Sequence, residues 1–315
     1  MRNERDRKFA ARIIFAVVLI CLVLAAVLSS FAGPCPENLD WSKAKDVARG
    51  VRYLRVDIDE PREMASHLVR VDLRTPGMRV TGTRRAPDWG KPMPDYTKKK
   101  MPIDTIRQTT REFLEEYRAN GTNMVFAVNT SAWRPWEKPH NHKYGKFINF
   151  LVSGGEVVSN TRKRCPMLVI FTNNVAIVTN KLDSADVPSV AVAHPGYDIE
   201  TILENGKIVK AKKKQFTPAI APRTAMGVSA DGRYVYALVV DGRQKGYSVG
   251  AELSDLARIL RAAGADDAVN MDGGGSSTIV LWDGARDEAV IPNHHDAKGE
   301  NYRAVAANMG FYFEK

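Results

Sequence analysis

One stretch of the chain sets an acid beside three consecutive glycines and several hydroxyl side chains. It runs from Asn270 to Thr278, and its acid is Asp272. Glycines tolerate backbone conformations that other residues resist, and without a Cβ they let N–H groups converge on a bound anion. A plain hairpin turn is the alternative reading, but it gives no reason for the acid and the hydroxyls. The stretch predicts a carboxylate next to an anion-binding loop.

A second acid and an arginine lie upstream, on a predicted hairpin. Arg223 begins one apolar strand, and the next, from Tyr234 to Val240, ends at Asp241. A pattern with helical periodicity follows and stops at Gly264. This order of elements places Asp241 and Asp272 on loops at one edge of the same sheet, where catalytic groups are often found.

The region from Pro222 to Leu281 resembles the phosphodiester glycosidase family. The resemblance rests on the order and spacing of PRTAMGV, VVDGR and NMDGGGSS, and it continues from Pro292 to Ala307. A weaker match reaches back to about Val125. The family includes an N-acetylglucosamine-1-phosphodiester α-N-acetylglucosaminidase and bacterial relatives linked to exopolysaccharides. The resemblance therefore implies a glycosidase that acts on sugar-1-phosphodiester bonds.

The chemistry of such a bond differs from that of an ordinary glycoside. The anomeric carbon is joined to a phosphate oxygen, and phosphate is a weak base that leaves with little proton donation. An ordinary glycosidase pairs a general acid with a second carboxylate. Here cations and N–H dipoles could replace the acid, because they stabilise the charge gathering on the phosphate. Arginine suits that task, since its planar fork meets two phosphate oxygens and keeps its proton.

The resemblance and this chemistry give each candidate residue a role. Asp272 is predicted to attack the anomeric carbon or to activate water, with Asp241 as its partner. Arg223 and Arg303 are predicted to clamp the phosphate, and Asn129 is predicted to bind a sugar hydroxyl or the phosphate. Backbone and hydroxyl donors are assigned to four loop residues, Gly273, Gly274, Gly275 and Ser276.

Simpler roles stay open for three of the charged residues. Asp241 precedes a glycine and could be an ordinary turn aspartate. Arg303 could form a salt bridge with a core acid. Arg243 is expected to be a solvated or paired surface charge.

The chain departs from the family pattern at two places near these residues. Asn129 is followed by Thr130 and Ser131, where the family usually has two glycines. Glu252 and Asp255 stand where a helix start usually has a hydroxyl residue and a glutamate. These departures leave substrate preference open. The loss of the two glycines also favours the alternative function, a non-catalytic anionic-glycan-binding protein of a cell-envelope or exopolysaccharide assembly. Against that alternative, a carboxylate beside the anion would repel it, and a pure binder gains nothing from Asp272.

The N-terminal residues 1–32 predict export from the cytoplasm. Five basic residues lie in or before an apolar run from Ile13 to Leu28, and small residues follow at a spacing suited to cleavage after Ala32. A run of this length can also span a membrane uncut, with the basic end in the cytoplasm. The segment is therefore a signal peptide or an N-terminal membrane anchor. The protein is expected to be periplasmic, secreted or anchored to the cytoplasmic membrane facing outward.

The charge of the chain favours anionic partners. The formal net charge is +10, and about +7 remains when residues 1–32 are set aside. A sugar-phosphate diester or an anionic glycan is the expected substrate. The lysine runs lack interleaved aromatics, so no nucleic-acid partner is predicted. Membrane contact is expected only through an uncleaved N-terminal segment. Cys35 and Cys165 could form one disulfide in an oxidising compartment.

The pattern of predicted elements indicates an α+β fold. Hairpins outnumber crossovers, so a mixed or antiparallel sheet rich in hairpins, with packed helices, is expected in a single large domain. The predicted organisation is a polar lead-in over 33–50 and a phosphodiester glycosidase-like domain over 51–315. No cofactor is expected to be required, although aspartates could hold calcium or magnesium through oxygen ligands.

Overall fold

The chain is built mainly from antiparallel β-strands. A computed structural model describes residues 33–94, 96, 100–135, 142–160, 164–182, 188–193, 201–209, 219–294 and 302–314. The strands in this part of the chain are β1 (Gly33–Pro34), β2 (Lys45–Ala48), β3 (Val51–Glu60), β4 (Met64–Asp72), β5 (Met78–Gly82), β6 (Thr105–Ile106), β7 (Asn123–Asn129), β8 (Trp133–Arg134), β9 (Tyr144–Phe147), β10 (Phe150–Ser153), β11 (Glu156–Asn160), β12 (Arg164–Phe171), β13 (Ala176–Lys181), β14 (Pro188–Ala193), β15 (Thr201–Glu204), β16 (Lys207–Ile208), β17 (Arg223–Val228), β18 (Tyr234–Val240), β19 (Asp267–Asn270), β20 (Ile279–Asp283), β21 (Glu288–Val290) and β22 (Asn308–Phe313). The α-helices are α1 (Thr110–Ala119) and α2 (Leu253–Ala263), and short 3-10 turns lie at Trp41–Lys43 and Gly274–Ser276.

The predicted α+β class is wrong, because helices are too few to form a layer of their own. Strands make up 49% of the structure and helices 11%, so the fold is β-rich with antiparallel sheets. The predicted hairpins are confirmed. The predicted class is wrong because two isolated helices do not form a layer. Each helix instead covers part of one sheet.

The largest sheet has nine strands and carries the predicted acids at one edge. Its order is β1-β3-β4-β18-β17-β19-β15-β16, with β2 paired to β3. Both β18 and β19 run antiparallel to β17, so they end where β17 begins. Arg223 begins β17, Asp241 follows β18 and Asp272 follows β19 by two residues. The structure therefore confirms the prediction that both aspartates lie at one edge of one sheet.

The glycine-rich loop connects this sheet to a second one. The second sheet has the order β21-β20-β7-β22-β5. The chain leaves β19 at Asn270 and enters β20 at Ile279, which pairs with Val128 near the end of β7. The loop is thus held between two sheets at both of its ends. Two further sheets, β11-β10-β14-β12-β13 and β6-β9-β8, complete the described strands.

The core forms between the sheets and beneath the two helices. Its main cluster joins strands of three sheets, with Phe126, Leu168 and Val239 among its fully buried members. On α2, Leu256 and Leu260 pack in one cluster with Leu238 and Leu68 of the nine-stranded sheet. On α1, Phe113 and Leu114 pack with Ala127 of β7. Burying these apolar side chains fixes the sheets that support the loop.

Cys35 and Cys165 are not joined by the predicted disulfide. Cys35 is half-buried against the cluster under α2, whereas Cys165 is buried with Met167 and Val169 in the β12 sheet. The thiols therefore belong to different parts of the core.

No helix in the described ranges is long and apolar enough to cross a membrane. Residues 1–32 fall outside those ranges, so the predicted signal peptide or anchor stays a prediction.

Candidate functional site

The main chain of Asp272 is fixed by the residues that end β7. The Asp272 N–H donates to the Thr130 carbonyl oxygen at 2.8 Å. The Asn129 side-chain amide donates to the Asp272 carbonyl oxygen at 2.7 Å. Because both bonds come from a strand of the second sheet, the acid is held at the junction of the two sheets.

The carboxylate of Asp272 is buried and incompletely hydrogen-bonded. The residue is 8% exposed, and its Oδ2 has no hydrogen-bond partner among the described residues. Burial raises the pKa of Asp272 to about 6, against the opposing effects of the Ser276 hydroxyl, the Arg303 charge and the Gly273 N–H. A buried carboxyl with a spare oxygen and a pKa near neutrality is suited to attack carbon or to accept a proton.

Two of the three glycines after Asp272 leave room for an arginine side chain, and the third leaves room for a backbone carbonyl. A Cβ on Gly275 would lie 2.9 Å from Arg303 Nη2, and a Cβ on Gly274 would lie 3.3 Å from Arg243 Nη2. A Cβ on Gly273 would lie 2.9 Å from the Pro222 carbonyl oxygen and 3.6 Å from Arg223 Cδ. Only Gly274 has a left-handed backbone, with φ of 64°. At Gly273 and Gly275 the lack of a Cβ matters because neighbouring atoms lie close, and not because the backbone is unusual.

The predicted N–H donors of the loop are partly used within the fold. The Gly274 N–H donates to Pro222 O at 2.8 Å, and the Ser276 N–H donates to Gly273 O at 3.3 Å. The fully buried Ser276 has its hydroxyl oxygen 3.5 Å from Arg303 Nη1. Gly274 and Gly275 thus contribute mainly by letting the guanidinium groups of Arg243 and Arg303 lie close to the loop.

Arg243 joins Arg223 at this loop, and it is exposed, in agreement with the solvated charge that the sequence led us to expect. Its backbone has φ of 62°, and neither arginine forms an ion pair with an acid in the described part of the chain. Burial, and then the Arg243 charge, lowers the pKa of Arg223. Glu252 has a smaller, opposing effect on the pKa of Arg223, and Arg223 Nε donates to the Ala251 carbonyl oxygen at 3.2 Å. Two cations held close together without an ion pair to an acid are typical of an anion site. The missed signal was the position of Arg243, two residues after Asp241 in the turn that follows β18.

Asp241 is fully buried, and both of its carboxylate oxygens accept hydrogen bonds. Its Oδ2 lies 3.0 Å from His67 Nε2 and accepts from the Tyr247 hydroxyl at 2.9 Å. Its Oδ1 accepts from the Asn293 amide at 3.2 Å and from the His294 N–H at 2.9 Å. Burial by itself would raise the pKa of Asp241, but hydrogen bonds from His67, His294 and Tyr247 outweigh it and hold the pKa below its usual value.

A buried hydrogen-bond network connects Asp241 to the glycine-rich loop. Its far end is Tyr53, whose hydroxyl lies 2.8 Å from His67 Nδ1. Its near end is Asn293, whose amide also donates to Ser277 O at 3.0 Å and accepts from the Ile279 N–H at 2.8 Å. The geometry makes Asp241 an anchor for the loop, while its predicted part in the chemistry stays a prediction. Neither His67 nor Tyr53 carried any motif signal, because both lie far away in sequence.

Asn129 supports the loop from below. It is fully buried, and its side-chain oxygen accepts from the Thr224 hydroxyl at 2.9 Å and from the Thr278 N–H at 3.0 Å. With its amide nitrogen on Asp272 O, the side chain ties β7, β17 and both ends of the loop together. These bonds hold the loop in place, and the predicted contact of Asn129 with substrate stays a prediction.

The residues that replace the family's two glycines after Asn129 bring hydroxyls to the site. The side-chain oxygens of Thr130, Ser131 and Ser277 are buried without hydrogen-bond partners among the described residues. Thr130 is the residue whose carbonyl receives the Asp272 N–H. Unsatisfied buried hydroxyls are costly, and their grouping beside the acid indicates a place for a polar ligand or water.

The other departure from the family pattern has a structural explanation. Asp255 accepts from the Glu252 N–H at 2.9 Å at the start of α2. Arg62 forms ion pairs with both Glu252 and Asp255, and Arg258 forms one with Asp255 at 3.1 Å. These acids therefore cap the helix, and two arginines balance their charge.

No group of three or more His, Cys, Asp or Glu side chains in the described ranges is arranged to hold a metal ion. Calcium or magnesium therefore stays a sequence-based prediction.

The chain is similar to one known protein family and to several solved structures. A family model described as phosphodiester glycosidase matches residues 119–312. Comparison with curated proteins finds no match. Among solved structures, the zebrafish N-acetylglucosamine-1-phosphodiester alpha-N-acetylglucosaminidase catalytic domain, auto-inhibited by its pro-peptide, is 18% identical with a TM-score of 0.56, over 90% of this chain and 87% of that one.

Two bacterial structures have the same general fold. A hypothetical protein from Synechocystis is 12% identical with a TM-score of 0.55, over 86% of this chain and 64% of that one. A protein from Burkholderia pseudomallei K96243 is 14% identical with a TM-score of 0.54, over 80% of this chain and 74% of that one. At these identities the likeness concerns the fold alone.

Proposed function

The chain belongs to the phosphodiester glycosidase family, and from that membership we propose that it hydrolyses the bond between the anomeric carbon of a sugar and a phosphodiester oxygen. The observation that carries the proposal is the buried carboxylate of Asp272 beside a loop surrounded by Arg223, Arg243 and Arg303. An acid and a cluster of cations meet the two demands of this reaction. The carboxylate forms a bond to the anomeric carbon or activates water, and the arginines stabilise the negative charge that develops on the phosphate.

The proposed reaction begins with the phosphodiester held by the guanidinium groups over the glycines. Asp272 then either attacks the anomeric carbon or takes a proton from the water that attacks it. The carbon–oxygen bond breaks, and its electron pair leaves on the phosphate oxygen. When Asp272 attacks, water then hydrolyses the glycosyl–Asp272 ester and restores the carboxylate. By either route the products are the free sugar and a phosphate monoester. Arginines stabilise the departing phosphate because their positive charge faces the oxygens on which negative charge grows.

Asp272 favours catalysis over simple binding. A buried carboxylate costs stability, and its charge repels a bound phosphodiester. A binding protein would be better served by an asparagine at this position. Non-catalytic binding of an anionic glycan remains the second candidate, because Thr130 and Ser131 add side chains where the family usually has glycines.

The setting of the reaction is part of the proposal. The basic and apolar residues 1–32 support export, and the excess positive charge supports an envelope or extracellular polysaccharide as substrate. We propose that no cofactor is needed, because phosphate leaves without a proton and the arginines supply positive charge.

The test is the release of free sugar from methyl phospho-N-acetylglucosamine. Wild-type protein should release N-acetylglucosamine and methyl phosphate in equal amounts. Arg223→Lys should lower turnover about 100-fold, because a lysine cannot form the two parallel bonds of a guanidinium. Arg111→Lys, on the exposed side of α1, is the matched control and should behave as wild type. Tight calorimetric binding of the diester without any release of sugar would contradict hydrolysis and favour the binding function.

A further inference from the structure

A cavity separate from the Asp272 loop lies between α1 and the residues that follow β5. It has a volume of about 490 Å³, within the range of roughly 300–1,000 Å³ usual for small-ligand sites. Its lining includes Arg84, Arg85, Gln108, Glu116 and Tyr117. None of its lining residues belongs to the site described above.

One arginine of this cavity is not committed to any acid. Arg84 is exposed, and no carboxylate in the described part of the chain pairs with it. Its guanidinium carbon lies 5.1 Å from the centre of the Tyr117 ring. The neighbouring Arg85 differs, because it pairs with Glu156 at 2.7 Å. Arg84 therefore presents its positive charge to whatever enters the cavity.

The remaining groups combine a fixed aromatic ring with polar donors and acceptors. The Tyr117 hydroxyl donates to Gly82 O at 3.2 Å, which holds its ring at the wall. The Gln108 amide donates to Glu116 Oε2 at 2.8 Å. Amide, carboxylate and guanidinium groups held at one wall suit the hydroxyls and the charged group of an anionic sugar.

The cavity is joined to the chain segment that carries Arg303. The main chains of Gln108 and Val305 exchange hydrogen bonds at 3.0 and 2.9 Å. The side chain of Arg107 donates to Ala304 O at 2.8 Å. A wall of the cavity is therefore hydrogen-bonded to the chain segment that carries Arg303, and a long ligand in the cavity would lie along that wall.

We propose that this cavity binds a segment of an anionic glycan, with Arg84 recognising a carboxylate, phosphate or sulfate on it. The charge of Arg84 selects an anion, and the amide and carboxylate groups select a carbohydrate. Only the idea that the same glycan presents its scissile bond to Asp272 rests on the proposed function. Binding in the cavity does not require hydrolysis.

The experiment measures affinity of the full-length protein for three polymers by calorimetry. The probes are polygalacturonate with carboxylates, poly(glycerol phosphate) teichoic acid with phosphates, and neutral dextran. Wild-type protein should bind at least one polyanion and should not bind dextran, and binding of neither polyanion would overturn the cavity proposal. Arg84→Gln should weaken binding of that polyanion about tenfold, the loss of one charged contact. Arg111→Gln, which removes an equal charge from the same helix region outside the cavity, should leave the affinity unchanged.

The outcomes separate this proposal from the proposed function. The polyanion whose binding depends on Arg84 identifies the anionic group. Equal weakening by both arginine substitutions would mean non-specific attraction and would overturn the cavity proposal, as would unchanged binding by Arg84→Gln. Arg84-dependent binding without release of sugar from methyl phospho-N-acetylglucosamine would overturn the proposed hydrolysis alone. Release of sugar with Arg84-independent binding would overturn the cavity alone.

Discussion

Asp241 and Asp272 are both buried at one edge of the nine-stranded sheet, yet their surroundings differ in kind. Asp241 accepts four hydrogen bonds, which hold its pKa below the usual value in spite of burial. Asp272 keeps one oxygen without a partner in the described ranges, and burial raises its pKa to about 6. Surroundings that separate the pKa values of two acids commonly separate their roles. Burial alone therefore does not distinguish the two acids, whereas the completeness of their hydrogen bonding does.

The largest expected effect is on turnover and distinguishes the two acids directly. Asp272→Asn should lower kcat about 1,000-fold, because asparagine can neither attack carbon nor accept a proton. Asp241→Asn should lower kcat only about tenfold, because the amide keeps an oxygen for the His294 N–H and only loosens the loop. Both are assayed with methyl phospho-N-acetylglucosamine, with circular dichroism as the check on folding. Equal losses from the two substitutions would make Asp241 a direct participant.

The next effect concerns the arginine beside the Asp272 loop. Gly275→Ala places a Cβ 2.9 Å from Arg303 Nη2, so the guanidinium must move. Displacing one charge-stabilising group should lower kcat about 100-fold. Gly284→Ala is the control, since a Cβ there meets no atom within 4 Å. If both alanine variants kept wild-type turnover, Arg303 would have no part in holding the phosphate.

The third prediction concerns the stability that Asp241 provides. Asp241→Asn should lower the free energy of unfolding by about 2–3 kcal/mol at pH 7, because charge-assisted bonds to His67 and Tyr247 are lost. The lowered pKa of Asp241 sets the pH dependence: its stabilisation is present above the unfolded value near 3.8 and is lost as pH falls through the folded value. Urea unfolding at several pH values measures this difference. A wild-type stability in Asp241→Asn at pH 7 would show that the network does not anchor the loop.

The fourth prediction has the opposite sign and concerns Asp272. Its raised pKa means that the folded chain holds the proton more tightly, so stability is full below about pH 4 and declines as pH rises through about 6. Asp272→Asn removes this decline and should be about 1–3 kcal/mol more stable than wild type at pH 7.5. Near pH 4 the two proteins should unfold at similar urea concentrations. A destabilised Asp272→Asn at pH 7.5 would mean that the Arg303 charge outweighs burial.

The sequence predicted where the candidate residues lie better than it predicted the fold class. Alternating apolar residues and Asp-Gly turns gave the hairpins and put both aspartates at one sheet edge, because strand pairing is largely local there. The α+β class failed because a helical pattern shows that a helix forms, and not how much of the structure it makes. The loop and Arg223 were visible because each lies in a motif.

The difference between the two acids could not be read from the sequence. It depends on His67, which is 174 positions from Asp241 and reaches it only because β4 pairs with β18. It depends also on Asn293, which enters the network from the segment after β21. Hydrogen bonds that satisfy a buried acid arise from tertiary packing, and a single sequence does not encode them as a pattern.

The smallest predicted effect tests how far this network reaches. Tyr53→Phe removes the hydroxyl 2.8 Å from His67 Nδ1 but keeps the ring. Because His67 would still bond to Asp241, the unfolding free energy should fall by only about 1 kcal/mol, and kcat by less than about threefold. Tyr234→Phe, on the same sheet but outside the network, is the control. A loss of turnover as large as that of Asp241→Asn would mean that Tyr53 sets the position of the His67 ring, and with it the charge state of Asp241.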